Sequence, residues 1–197
     1  MEIKNPRTLR IYFTKPKKGL PILSYAIRLL TWSKFSHCVW NFIDTPASKE
    51  NFHVYFNKLQ YLSYDNLNKN HEVVSMFRLV VPEERYNIIK GRCDKFNGKE
   101  TKGYYLQLLG AALSIPHKLI MDTWAPNPLK FHDSYLCSQY IMEDLMKSLD
   151  LFMYVDVKWY DSLYGLDTFT EKELYNFLMY LSNMDQTKLP ITIKRIF

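Results

Sequence analysis

Leu9 to Phe13 is the first apolar run of the chain and predicts a short strand. The basic stretch Thr14 to Leu20, with Pro16 and Gly19, predicts a loop. Pro21 then suits the first turn of a helix, and Leu23, Ile27 and Leu30 recur at helical spacing until about Thr31. Phe35 to Ile43 alternates: Cys38, Trp40 and Phe42 fall on one face, His37, Val39 and Asn41 on the other. After a turn around Pro46, Phe52 to Leu59 alternates again. Phe52, Val54 and Phe56 share a face, and His53, Tyr55 and Asn57 share the opposite one. Each of these strands sets an apolar face against a polar, histidine-bearing one. Strands adjacent in sequence usually pair, so His37 and His53 or Asn57 are expected on one side of a sheet.

Tyr61 to His71 is rich in Asn and reads as a loop. Val73 to Val81 is a β-prone run that predicts a buried strand. Pro82, Glu83 and Glu84 open a helix that continues to about Phe96, with carboxylates where the helix dipole favours them. Tyr104 to Leu113 predicts another helix, and Ile115 to Phe131, with three prolines, an irregular connection of the kind that often borders sites. In Ser134 to Leu149, Cys137, Ile141, Leu145 and Leu149 succeed one another four apart. Asp133 or Ser134 can cap that helix, which places Cys137 in its first turn. Leu151 to Trp159 reads as a strand. Thr170 and Glu173 form a T-x-x-E box ahead of a helix whose inward residues are Leu174, Phe177, Leu178 and Leu181, and Ile191 to Phe197 predicts a terminal strand.

A chain of 197 residues suggests one domain, 1–197, with the last helix and strand (about 168–197) as a C-terminal extension. With 47% hydrophobic and 23% charged residues, it is neither disordered nor a coiled coil. The net charge of +6 comes from scattered lysines and arginines, with only Lys15, Lys17 and Lys18 grouped. No aromatic motif interleaves with them, so no nucleic-acid partner is expected. Three cysteines without a C-x-x-C pair argue against a disulfide framework and a structural zinc site. Five dispersed histidines form no H-x-H or H-x-x-x-H pair, so no metal and no cofactor is expected. Met1 to Arg10 lacks a signal peptide's apolar stretch, and no run approaches the ~20 apolar residues that span a bilayer. The expected setting is a cytoplasm, that of an infected host or a virion if the chain is viral.

The chemistry centres on Cys137. The start of a helix lowers a thiol's pKa, and its free N–H groups can hold an oxyanion. A cysteine so placed, with a histidine from a strand, is the thiol-hydrolase arrangement. His37 is the best base, and His53 or Asn57, from the next strand, is the candidate for the third group that orients the imidazole. His132 is a rival base. Cys38 and Cys93 read as structural; His71 and His117 fall in loops.

Three segments resemble circularly permuted NlpC-type papain-like hydrolases. Ile22 to His37 is similar to that family's opening, a helix with an Ile-Arg pair leading to a Ser-His that begins a strand. Gly103 to Gly110 resembles its Gly-x-x-Tyr-Asp segment, and Ser134-Tyr-Leu-Cys-Ser-Gln-Tyr-Ile141 its aromatic-x-Cys-Ser-Glu nucleophile helix. Thr168 to Leu174 is similar to its closing Thr-Pro-x-x-Leu. Gln139, Tyr105 and Glu171 depart from the family's Glu, Asp and Pro. The resemblance implies a papain-like α+β fold, an antiparallel sheet packed on the nucleophile helix. It also implies catalytic residues Cys137, His37 and His53 (or Asn57), and cleavage of an amide bond in a peptide or cell-wall peptide. The alternatives are a lipid acyltransferase or phospholipase using the same pair, and an inactive binding or virion component on the same fold.

Overall fold

The computed structural model describes residues 3–17, 28–29, 33–55, 57–101, 109–110, 113, 120, 129, 136–154 and 170–197. Among these, six strands form one antiparallel sheet: Pro6–Pro16 (β1), His37–Phe42 (β2), Asn51–Tyr55 (β3), Lys58–Leu62 (β4), His71–Pro82 (β5) and Thr192–Arg195 (β6), in the spatial order β4-β3-β2-β1-β5-β6. The helices are Tyr64–Asn70 (α1), Glu83–Phe96 (α2), Cys137–Glu143 (α3) and Glu171–Asn183 (α4). The chain is therefore α+β.

Register explains how the two faces of the sheet differ. Leu9, Ile11 and Phe13 of β1 stand opposite Phe42, Trp40 and Cys38 of β2. With Phe52, Val54, Phe77, Leu79 and Val81 they make the first face, on which α2, α3 and α4 pack to form the main core. Each fully buried Phe or Leu there contributes about 2 kcal/mol of hydrophobic stabilisation. The second face carries Tyr12 and Val39, which pack on Leu67 of α1 in a smaller cluster. A β-bulge between β1 and β5 sits where Phe13 pairs with Ser75 but Thr14 pairs with Val73. The extra residue, Val74, reverses the parity of β5 below it. His71 thereby comes onto the second face, the face of His37, instead of the face of Phe77.

Several elements differ from the sequence-based expectation. Phe52 to Leu59 is not one strand but most of a hairpin. Its register closes at Tyr55 opposite Lys58, and Asn57 lies in the tight turn. The Asn-rich stretch expected as a loop contains α1. The Ser63 hydroxyl accepts from the Asn66 N–H at 3.3 Å and Leu67 is fully buried, which together outweigh the poor helix propensity of three asparagines. Leu151 to Tyr154 forms a 3-10 turn where a strand was expected, after Asp150 enters the left-handed region at φ 52°. The α-helix of Cys137 ends at Glu143 and widens into a π turn over Asp144–Ser148. Near the C-terminal end of the described residues, β6 pairs with β5, and Leu174, Phe177, Leu178 and Leu181 of α4 are fully buried in the main core. The helices expected over Pro21–Thr31 and Tyr104–Leu113, and the connection after them, lie almost wholly outside the described residues. No helix among the described residues is long and apolar enough to cross a membrane.

Candidate functional site

Cys137 is the first residue of α3, which lies over the apolar side of β2. Tyr140 packs its ring against Phe52 at 5.5 Å, and the Trp40 indole N–H donates to Asp144 Oδ2 at 3.0 Å. Asp144 is also ion-paired with Arg92 of α2 at 2.6 Å. These contacts seat the helix so that its first residue meets the start of β2 and the start of α4. The Cys137 sulfur donates to Glu171 Oε1 at 3.0 Å, and both side chains are buried. Its other polar neighbour is Cys38. The Cys38 thiol, hydrogen-bonded to the sulfur, draws the Cys137 pKa down, but burial and the Glu171 carboxylate outweigh it and the net direction is up. Burial likewise raises Glu171, against the Cys137 S–H and its own backbone N–H, and holds Cys38 well above the ordinary thiol value. Gln139 closes the turn, its Oε1 accepting from the Leu136 N–H at 3.4 Å.

The histidines form a separate cluster. His37 Nε2 and His53 Nδ1 lie 2.8 Å apart, so one ring donates its N–H and the other accepts. The His71 ring is 5.5 Å from that of His37, and its Nδ1 is 3.4 Å from the Thr14 hydroxyl. Burial holds His37 well below the ordinary histidine value, helped by the neighbouring His53 and His71, and it holds His53 down at about 3. Burial also lowers His71. All three rings are neutral near pH 7.

The expected catalytic set is therefore divided. His37 and His53 meet, but Cys137 does not join them. In β2, Cys38 faces α3 and the main core, so the adjacent His37 faces the other way, with Tyr12 and Val39. The sheet stands between the sulfur and both imidazoles, and the groups hydrogen-bonded to the sulfur are Glu171 and Cys38. Asn57, the alternative third residue, is exposed in the β3–β4 turn. Cys93 is buried in α2, where it accepts from the Tyr140 hydroxyl at 3.8 Å. His117 and His132 lie outside the described residues.

Two residues of the thiol site escaped the sequence reading. Glu171 was visible as a departure from the family pattern. It also stands three and seven positions before Leu174 and Leu178, at the head of the inward stripe of α4, and a carboxylate on an apolar stripe is an informative burial. Cys38 had the core-facing parity, but nothing in the sequence announced that Cys137 would pack on it. Among the described residues, no three of His, Cys, Asp and Glu are grouped so as to hold a metal ion. No known protein family, curated protein or solved structure matches this chain.

Proposed function

We propose that the chain is a papain-like thiol hydrolase that cleaves an amide bond, with Cys137 as nucleophile and Glu171, in place of His37, as its base. The observation that supports this reading is the 3.0 Å hydrogen bond from the Cys137 sulfur to Glu171, at the first position of a helix packed on an antiparallel sheet. A carboxylate whose pKa is lifted toward neutrality is a better general base than an ordinary one, and burial moves Glu171 in that direction. In the first step Glu171 takes the thiol proton as sulfur attacks the carbonyl carbon. Collapse breaks the C–N bond, and the same proton passes to the departing amine. Water, deprotonated by Glu171, then cleaves the thioester and returns the thiol. The amide preference comes from the family resemblance. An ester in a lipid is the alternative substrate, and hydrolysis of a short-chain ester against a peptide amide separates the two.

A second reading is favoured by the separation of the sulfur from the imidazoles and by the upward shifts of both thiol and carboxylate, which leave the thiol a poor nucleophile at rest. In it the chain keeps the fold as a binding component. Native-state alkylation with chloroacetamide, read by peptide mass spectrometry, tests both. The hydrolase reading expects Cys137 to be labelled well ahead of Cys38 and Cys93, and Glu171→Gln to slow that labelling by about tenfold or more. Absence of labelling at Cys137, or equal labelling of all three thiols, favours the binding component. Loss of Cys137 labelling in His37→Ala with no effect of Glu171→Gln returns the role of base to the histidine.

A further inference from the structure

The second face of the sheet has a cleft of its own, away from Cys137. It is an open cleft of about 390 Å3 between β1, β2, β5 and the start of α1. That volume lies within the range of small-molecule sites. Its floor is a line of hydrogen bonds across three strands. Arg10 Nη1 donates to the Tyr12 hydroxyl at 3.4 Å, Tyr12 donates to Asn41 Oδ1 at 3.1 Å, and Asn41 Nδ2 donates to Asn51 Oδ1 at 3.1 Å. Asn51 is anchored in turn on the Leu62 carbonyl at 3.1 Å. Register makes this line possible, because Arg10 stands opposite Asn41 and Asn41 opposite Asn51.

The line turns the Arg10 guanidinium toward Tyr12 through one weak contact of its five N–H donors. No carboxylate pairs with Arg10 among the described residues, although nine other ion pairs are formed there. Glu50 borders the same cleft, with Oε2 held at 3.1 Å by the Tyr64 N–H. A cation and an anion thus face one cavity, each oriented by its own neighbours, and Ile43, Val73 and Met76 supply apolar walls.

We infer that this cleft binds a free α-amino acid with an apolar side chain, Arg10 taking its carboxylate, Glu50 its ammonium group, and the Ile43, Val73 and Met76 walls its side chain. Orientation of both charged groups before the ligand arrives lowers the ordering cost of binding. The inference does not rest on the hydrolase reading, since the cleft and Cys137 lie on opposite faces of the sheet.

Isothermal titration of the full chain with L-phenylalanine, L-phenylalaninamide and N-acetyl-L-phenylalanine tests it. The amide lacks the carboxylate and the acetyl compound the ammonium group. Binding of L-phenylalanine is expected, with each analogue weaker by about tenfold or more. In Arg10→Met the acid and the amide should bind alike; in Glu50→Gln the free and acetylated amines should bind alike. Equal affinity of the wild-type chain for all three probes overturns the inference, as does absence of binding tighter than about 10 mM. Both outcomes are read on the wild-type protein and hold even if a variant fails to fold.

Discussion

Acidification should weaken this protein through His53, by an amount that follows from its burial. In the native state His53 is held at about 3 by burial, whereas the unfolded chain restores it to its ordinary 6.5. A depressed folded pKa makes a contribution that is complete above 6.5 and is lost as the pH falls toward the folded value. At about pH 5 the unfolded state takes up this proton and the native state does not. The difference of about 1.5 pH units corresponds to about 2 kcal/mol. Asp144 acts in the opposite sense. Burial, against Arg92 and Trp40, lifts it to about 7, so the native state takes up a proton there on acidification and gains stability. Total stability against pH therefore mixes these with His37 and His71, which burial also holds low, and a difference measurement is needed.

His53→Asn supplies it. The Asn carbonyl stands near the place of the ring Nδ1 and keeps a partner for His37, but it does not titrate. Urea unfolding of both proteins at about pH 7.5 and about pH 5 gives two values of the stability difference. The advantage of the wild type should shrink by about 2 kcal/mol on going to the lower pH, while Asp144 cancels. A difference that stays constant within about 0.5 kcal/mol would show that the ring is not held neutral by its burial and the nearby His71.

Arg92→Met leaves Asp144 buried without its ion pair, and should cost about 3 kcal/mol in urea unfolding near pH 8. The loss should lessen toward pH 6, because a carboxyl with a raised pKa is penalised only as the pH rises through its folded value. Ser63→Ala removes the oxygen that caps α1, and should lower stability by about 1 kcal/mol by the same assay. Ser48→Ala is the matching control: it lies in the 3-10 turn Ala47–Lys49, which buries none of its residues, and should change stability by less than about 0.5 kcal/mol.

The strands were legible where one face is buried and the other polar. Period-two alternation identified Cys38, Trp40 and Phe42 as inward-facing and grouped His37 with His53, and the register places them so. The box at Thr170 and Glu173 also forms, with the Glu173 N–H donating to the Thr170 hydroxyl at 3.3 Å. The errors came from segments whose local chemistry is ambiguous. A two-residue turn at Asn57 is hard to see inside an alternating run. The helix propensity of an Asn-rich stretch is too low to announce α1 without knowing that Leu67 has a pocket to fill. The bulge that turns His71 toward His37 leaves no mark in composition, since it depends on how β1 and β5 share their register.

The division of the catalytic set is, in contrast, implicit in two features of the sequence taken together. Alternation sends His37 away from Cys38 and Trp40. Four-residue spacing puts Cys137 on the same stripe as Ile141 and Leu145, and an apolar stripe must pack on the apolar side of a sheet. A helix docked on Cys38 and Trp40 therefore carries its first-turn thiol to the side that His37 does not face. For the imidazole to reach that thiol, the helix would have to bury its stripe on the face of Val39 and Asn41, where Asn41 already hydrogen-bonds Tyr12 and Asn51. Covering those amides with Ile141 and Leu145 would desolvate polar groups at about 1–3 kcal/mol for each one left unpaired. Packing energy thus opposes a Cys137–His37 pair, and it is the same packing that brings a carboxylate from the head of α4 to the sulfur.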